Sequence, residues 1–307
     1  MRSFGLKLAG LGNRNAERPV SVRQRAEETA ARLPPLLVAA ERIAATVAQG
    51  VHGRRRVGKG ESFWQFRRYQ QGDPVQSIDW RQSAKREHLY IRENEWEAAQ
   101  SVWVWLDRST SMQYHSNVGL PDKADRAAVL MLALSSLLIR GGERITLLGS
   151  GIPPSNGRAV MDRLVASISL ENSEEQSAPP LEQLPRYARV VMISDFLMPP
   201  AEIEQTLRGF ASLGVRGHLL QVFDPAEQSL QFSGRVRFEG LEGEGTALIG
   251  RVEAVRTEYM RLMKKHRRAI EDIARSLGWT YLAHVTDQPP QTALLALYHA
   301  LVETPGA

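Results

Sequence analysis

From residue 99 onward, the sequence alternates short apolar runs with longer amphipathic stretches, and this alternation constrains the fold more than any other feature. The short runs are rich in Val, Ile, Leu and aromatic residues and occupy 102–106, 145–148, 190–193, 219–223 and 279–283. The longer stretches have apolar residues at helical spacing or are rich in strong helix formers. They occupy 123–139, 159–168, 201–213, 251–277 and 292–302. Such alternation is typical of an open, mostly parallel sheet with helices on both faces. We therefore predict a doubly wound α/β fold.

Three segments with different composition suggest three parts of the chain. Residues 1–50 contain a stretch rich in Ala, Leu, Arg and Glu, interrupted by two prolines, and are predicted to form an N-terminal helical arm. Residues 51–98 carry aromatic and β-branched patches separated by turn residues, so we predict a small β-rich element there. Residues 99–307 form the predicted α/β domain, in which the glycine-punctuated stretch near 230–245 is interpreted as an inserted hairpin.

The bulk composition restricts the class of protein. A chain of 307 residues with 43% apolar residues can bury a full hydrophobic core. It contains no cysteine, so any metal must be held by oxygen or imidazole ligands. No apolar run approaches the length of a membrane span, and the first residues lack a signal-peptide core. We expect a cytoplasmic protein that does not span the membrane, with peripheral membrane association left open.

The basic charge is concentrated near the N-terminus. The formal net charge is +5, and the sequence pI is about 9.6. Much of the excess comes from arginines of the first sixty residues: Arg14, Arg18, Arg23, Arg25, Arg32, Arg54, Arg55 and Arg56. Binding of nucleic acid through this arm is one alternative function, and the balanced charge of the remaining chain makes it the least supported.

Acidic and hydroxyl side chains follow two of the predicted strands. Asp107, Ser109 and Ser111 occupy alternate positions directly after the strand 102–106, and Asp195 follows the strand 190–193. Ligands of open α/β sheets bind at the carboxyl ends of the strands, where both groups are expected to meet. Two acids and two hydroxyls suit a hard cation such as Mg²⁺, or Mn²⁺ or Ca²⁺ in its place. The sequence thus predicts a cation site with a coordination position open for a partner's carboxylate.

This pattern resembles the metal-ion-dependent adhesion site of von Willebrand A domains, which reads Asp-x-Ser-x-Ser, then Thr, then Asp. Asp107, Ser109 and Ser111 match its first part, and Asp195 matches its last. The Thr has no clear counterpart, and Ser155, in the loop after the second predicted strand, is the candidate substitute.

A second resemblance covers most of the chain. Several short motifs are similar to those of the bacterial family called domain of unknown function fifty-eight, in which they precede a von Willebrand A-like core. The motifs are Gly60-Glu61-Ser62-Phe63, Arg67-Arg68-Tyr69, Gly72-Asp73-Pro74, Ile78-Asp79-Trp80 and Ser83-Ala84-Lys85. The later Asp224-Pro225-Ala226-Glu227, together with Tyr259 and His266 on the long predicted helix, fits the family as well.

The resemblance implies partners more than a reaction. Members of this family are typically encoded beside MoxR-type AAA+ ATPases and are thought to serve them as metal-binding adaptors or co-chaperones. We therefore expect such an ATPase and its client protein as partners, no enzymatic activity and no small-molecule substrate. The charged and aromatic residues of the family motifs either latch the β-rich element to the core or dock a partner: Arg67, Arg68, Asp73, Asp79 and Trp80.

A metal-dependent hydrolase is the second alternative. The carboxylates of Asp107 and Asp195 would activate a metal-bound water. No histidine or additional glutamate adjoins either motif in the sequence, so this reading lacks a general base.

Overall fold

The chain folds into two units, which are described separately. The computed structural model describes residues 38–48, 63–68, 80–85, 89–94, 101–169, 178–240 and 245–303. The larger unit consists of Met1–Val51 and Ser101–Ala307, and the smaller unit is His52–Gln100. Residues 38–48 form helix α1, which packs into the core of the larger unit through Ala40, Ile43, Ala44 and Val47. The remainder of the predicted N-terminal arm lies outside the described residues.

The smaller unit contains a two-stranded antiparallel sheet. Strand β1 (Phe63–Arg68) pairs with β2 (Tyr90–Asn94), and the short helix α2 (Trp80–Ser83) lies between them in sequence. The hydroxyl of Ser83 accepts a hydrogen bond from the backbone N–H of Tyr90 at 2.9 Å, which joins α2 to β2.

The residues predicted to latch or to dock a partner belong to this smaller unit. Arg67 and Arg68 are the last two residues of β1, and Trp80 begins α2 with 60% of its surface exposed. Asp73 and Asp79 lie outside the described residues.

A parallel sheet of five strands forms the centre of the larger unit, as the sequence predicts. Its order is β4-β3-β5-β6-β9, and all four neighbouring pairs are parallel. The strands are β3 (Ser101–Leu106), β4 (Arg144–Leu147), β5 (Arg189–Ser194), β6 (Arg216–Phe223) and β9 (Thr280–Val285). Strand β5 is buried at every position, which explains why it appears in the sequence as a continuous apolar run instead of an alternating one.

Helices cover both faces of this sheet. Alternate side chains of β3 point to opposite faces: Val102, Val104 and Leu106 join one core cluster, and Trp103 and Trp105 join the other. The first cluster is completed by α1 and by the helices α3 (Lys123–Arg140), α4 (Arg158–Ser169) and α8 (Pro290–Glu303). The second is completed by α5 (Pro200–Ser212) and the C-terminal half of α7 (Val252–Ser276). Within the described ranges, none of the helices is both long and apolar enough to cross a bilayer.

An antiparallel hairpin lies between β6 and α7, and it overlaps the insertion predicted near 230–245 but extends a few residues beyond it. Helix α6 (Pro225–Ser229) follows β6, and the hairpin consists of β7 (Val236–Glu239) and β8 (Thr246–Ile249). Between the two strands, the Gly240 N–H donates to the Gly245 carbonyl at 2.8 Å. The second strand therefore starts where the predicted insertion ends.

Candidate metal site

The two predicted acids lie at the same edge of the sheet because β3 and β5 are neighbouring parallel strands. Leu106 of β3 is paired with Ile193 of β5, so the chain leaves both strands at the same level. The N–H of Asp107 donates to the Ile193 carbonyl at 2.9 Å and extends this ladder by one residue. Asp107 and Asp195 are each 2% exposed.

Asp107 is held by two donors. Its Oδ1 accepts a hydrogen bond from the Ser109 N–H at 2.8 Å, which bends the chain immediately after the strand. Its Oδ2 accepts from the Ser194 hydroxyl at 2.5 Å. That hydroxyl also accepts from the Phe196 N–H at 2.8 Å, so Ser194 fixes the loop that carries Asp195 as well as the carboxylate of Asp107.

A chain of hydroxyls joins the first motif to the second. The Ser111 hydroxyl donates to Asp195 Oδ2 at 2.7 Å, although the two residues are 84 positions apart. The oxygens of Ser109 and Ser111 are 2.9 Å apart, and since the Ser111 proton points to Asp195, Ser109 is the donor between them. The structure therefore brings together the four predicted ligands Asp107, Ser109, Ser111 and Asp195, and the two serines are 1% and 3% exposed.

A buried lysine, absent from the sequence prediction, contacts this group. Lys123 is the first residue of α3 and is 0% exposed. Its ammonium donates to Asp195 Oδ2 at 2.9 Å and to Glu227 Oε1 at 2.5 Å. Glu227 belongs to α6, and its Oε2 accepts from the Asp224 N–H at 2.9 Å as part of a capping box.

The electrostatic environment differs between the carboxylates. Burial, followed by the negative charge of Asp195, raises the pKa of Asp107 to about 6, although hydrogen bonds from Ser194 and Ser109 act in the opposite direction. Burial alone would favour neutral Asp195, but the charge and hydrogen bond of Lys123, together with hydrogen bonds from Ser111 and the Leu197 N–H, hold the pKa of Asp195 below its usual value. Burial keeps the pKa of Glu227 above its usual value despite Lys123.

Lys123 itself stays protonated. Burial lowers the pKa of an ammonium, but the charges of Asp195 and Glu227 more than compensate, and the pKa of Lys123 lies above its usual value. Asp107 is then the ligand whose charge is least stabilised at neutral pH, and an added cation would stabilise it.

The oxygen spacing fits a small divalent ion. Neighbouring ligands of an octahedral Mg²⁺ ion lie ~3.0 Å apart, because each is ~2.1 Å from the ion at right angles to the next. The separations from Ser109 to Ser111 and from Ser111 to Asp195 are 2.9 and 2.7 Å. Among the described residues, no three His, Cys, Asp or Glu side chains cluster as a metal site. The donor set is therefore a mixed one of carboxylates and hydroxyls, and water would complete it.

The loops that carry the site are braced by the long helix α7. Tyr259 and His266 are two helical turns apart and so lie on the same side of α7. The Tyr259 hydroxyl donates to the Glu227 carbonyl at 2.8 Å, and His266 Nε2 donates to the Phe196 carbonyl at 2.7 Å. Phe196, the residue after Asp195, adopts a left-handed backbone with φ of 48°. These two hydrogen bonds give a physical role to residues that the sequence singled out only by resemblance.

Ser155 is not part of this group, and its prediction as the third-loop ligand is wrong. Its backbone pairs with Ile145, at the end of the sheet where the strands begin. Ile145 pairs with Val102 of β3, and Asp107 lies five residues beyond Val102. Five residues of extended strand span about 16 Å, so Ser155 and Asp107 lie at opposite ends of the sheet. The Ser155 hydroxyl accepts instead from Arg163 at 2.5 Å. After β4 the chain turns back toward the end of the sheet where the strands begin. The sequence of this proline-containing loop gave no indication of that turn.

Sequence reasoning gave no site role to Lys123, Glu227 or Ser194. A lysine in the first turn of a helix opposes the helix dipole, and this conflict was the available signal for Lys123. The pattern Asp224-Pro225-Ala226-Glu227 is that of an N-terminal capping box, which marks Glu227 as fixed in position. Ser194 precedes a predicted ligand and carried no signal of its own.

Comparison with known proteins places this architecture in context. The family described as "Protein of unknown function DUF58" matches residues 65–269. An uncharacterized protein of Mycobacterium bovis, Mb1516, is 26% identical over 248 residues, covering 75% of this chain and 76% of its own length.

Two solved structures are similar at 16% sequence identity. The conserved hypothetical protein BatB from Bacteroides thetaiotaomicron aligns with a TM-score of 0.42, covering 66% of this chain and 98% of BatB. An aerotolerance-related membrane protein from Bacteroides fragilis aligns with a TM-score of 0.40, covering 67% and 100%.

Proposed function

This chain belongs to the DUF58 family of proteins of unknown function, and from that premise we propose that it is a non-enzymatic, metal-binding interaction module. In this proposal its α/β unit is a von Willebrand A-like domain with an adhesion-type site. Asp107, Ser109, Ser111 and Asp195 would hold Mg²⁺, or Mn²⁺ or Ca²⁺, with Asp195 acting directly or through water.

One observation carries the proposal. Two neighbouring strand tips deliver carboxylates that are connected by a continuous path from Asp107 through Ser109 and Ser111 to Asp195. A helix N-cap explains an Asp or Ser after one strand, but it does not explain hydroxyls that reach across to the next strand. The distances between these oxygens are hydrogen-bond distances, and neighbouring ligands around a small ion would have similar separations.

The residues around the site are arranged for binding. When bound, the ion would supply a Lewis-acidic position to which a partner's carboxylate can coordinate. Ser194 and the Ser109 N–H hold the Asp107 carboxylate in one orientation, and Lys123 does the same for Asp195. Ligands that are already held in place lose little entropy when the ion binds, which favours binding of the ion and of a partner's carboxylate.

The contacts argue for binding instead of hydrolysis. Lys123 remains protonated and cannot accept a proton from water. Glu227 already accepts hydrogen bonds from Lys123 and from the Asp224 N–H, and the His266 ring is bonded to the Phe196 carbonyl. We therefore assign no catalytic residue among those described.

We propose a MoxR-type AAA+ ATPase and its client protein as the partners, in the cytoplasm or at the membrane surface. The motifs of residues 60–85 that resemble the family support this choice, because members of the family are typically encoded beside such ATPases. The chain would act as an adaptor whose metal-bound edge contacts an acidic side chain.

A pull-down tests the proposed function. The full chain is immobilised and offered the MoxR-type ATPase of the same genome with Mg²⁺ or with a chelator. We expect retention with Mg²⁺, and at least tenfold less with chelator or with Asp107→Ala. Asp162→Ala, which removes an exposed acid of α4, is the matched control and should bind as the wild type does. Retention unaffected by both chelator and Asp107→Ala would refute the proposal.

A further inference from the structure

The position of Lys123 suggests a second role for the two buried acids that contact it, Asp195 and Glu227. A lysine ammonium is strongly hydrated in water, and it is rarely 0% exposed unless fixed partners replace that water. Here two carboxylates, from Asp195 and Glu227, contact it at 2.9 and 2.5 Å. This is a bridging arrangement, in which one cation is shared by an acid of the predicted site and an acid of α6.

A third group beside this position has no partner. The Tyr114 hydroxyl is buried and makes no hydrogen bond within the part of the chain that the structure describes. The charges of Asp224 and Glu227 act on it, and the Lys123 ammonium is 6.0 Å from the centre of the Tyr114 ring. The ammonium therefore lies buried between two carboxylate oxygens, and oxygen ligands are what a hard cation requires.

Lys123 only partly neutralises the two buried acids that contact it. When ionised, Asp195 and Glu227 supply two negative charges and Lys123 supplies one positive charge, and Asp224 is a further buried acid beside Glu227. Without the ammonium, Asp195 and Glu227 would be left close together without a cation. A divalent ion at the place of the ammonium would supply that missing charge.

We propose that Lys123 fills a second cation position, between Asp195 and Glu227, and so limits this edge of the sheet to one divalent ion. The inference rests on the proposed metal site and adds a latent site for a hard divalent cation such as Mn²⁺ or Ca²⁺. The lysine thereby also excludes the two-ion arrangement that many metal-dependent hydrolases use, in which metals lie roughly 4 Å apart.

Manganese binding to the full chain tests this assignment. Isothermal titration gives the number of ions per chain, and electron paramagnetic resonance detects magnetic coupling between neighbouring Mn²⁺ ions. We expect one ion and no coupling in the wild type, and two coupled ions in Lys123→Ala. The double variant Lys123→Ala with Glu227→Gln should return to one ion, because the second position loses a ligand. Lys264→Ala, which removes an exposed lysine of α7, should bind one ion.

The outcomes separate the two proposals. No ion in the wild type would overturn the proposed function and this inference together. One ion in both the wild type and Lys123→Ala would overturn only the inference, because the missing charge would then be replaced by a proton. If Lys123→Ala does not fold alone, the inference predicts that Mn²⁺ restores the folded chain with two ions bound, and failure to do so contradicts it.

Discussion

Ser194 donates its hydroxyl to Oδ2 of Asp107 at 2.5 Å, so the residue that precedes one predicted ligand holds the other in place. The same hydroxyl accepts from the Phe196 N–H. Ser194 is the last residue of β5 and is 1% exposed, so water does not replace these contacts when the hydroxyl is removed.

Ser194→Ala is therefore expected to weaken both stability and metal binding. Loss of a buried hydrogen bond to a charged acceptor reduces the free energy of unfolding by about 2 kcal/mol, which lowers Tm by roughly 4–8 °C in a domain of this size. Thermal denaturation with and without Mg²⁺ measures both effects. Ser276→Ala removes an exposed hydroxyl that bonds within its own helix and is the control. Equal Tm values for the two variants would contradict the role given to Ser194.

Asp107→Asn is expected to stabilise the metal-free protein while abolishing metal binding. The folded-state pKa of Asp107, about 6, lies above its unfolded value of 3.8. The folded chain thus binds the proton more tightly, and stability falls as pH rises from about 4 to about 6. At pH 7.5 the ionised carboxylate destabilises the fold by roughly 3 kcal/mol, which asparagine relieves in part.

The measurement is Tm at pH 7.5 with and without saturating Mg²⁺. The wild type should gain roughly 5–10 °C at an ion concentration near one hundred times Kd. Asp107→Asn should begin at a higher Tm and gain nothing. Asp162→Asn, at an exposed position of α4, should behave as the wild type does. An Mg²⁺ response that survives in Asp107→Asn would show that the ion binds elsewhere.

Much of the fold was predictable from the sequence because parallel strands buried on both faces leave continuous apolar runs. The runs at β3 and β5 located Asp107 and Asp195, and the parallel fold class placed both at the same edge of the sheet, whereas the structure shows that the two strands are neighbours. Contacts between distant side chains were not predictable in this way. Lys123 reaches Asp195 and Glu227 across 72 and 104 residues, and no local pattern encodes those distances. Ser155 was assigned to the wrong end of the sheet because a loop's return path depends on tertiary pairing with Ile145.

Acid should destabilise the fold through two buried histidines. Burial, followed by the positive charges of Arg189 and Arg216, lowers the pKa of His218 to about 4. Burial, followed by Arg126, lowers the pKa of His284 to about 4. Both values lie below the unfolded value of about 6.5, so the unfolded chain binds more protons between pH 6.5 and 4. Stability is then present above this window and is lost as pH falls through it.

His218→Gln tests this dependence. Each histidine contributes roughly 3 kcal/mol of the acid-induced loss, so the variant should lose markedly less stability than the wild type between pH 7.5 and 4.5. Urea denaturation at a series of pH values measures the difference. Parallel stability curves for the two proteins would contradict the assignment to His218.

Gly217 of β6 is expected to be intolerant of any side chain. A Cβ atom at this position would lie 1.8 Å from Cε3 of Trp279, which is itself only 6% exposed. Gly217→Ala forces the ring or the strand to move, which should reduce the free energy of unfolding by about 3 kcal/mol or prevent folding. At Gly250 an added Cβ meets nothing within 4 Å, so Gly250→Ala is the matched control. Chemical denaturation should separate them clearly, and similar stability would show that Trp279 does not pack on β6 as described.

A crystal structure of the full chain grown with Mn²⁺ tests the metal site most directly, because anomalous scattering locates the ion without reference to activity. The predicted result is one peak within about 2.3 Å of the hydroxyl oxygens of Ser109 and Ser111 and close to the Asp107 carboxylate. A saturated crystal with no peak there, or with its ion bound only at another part of the chain, would contradict the proposed function.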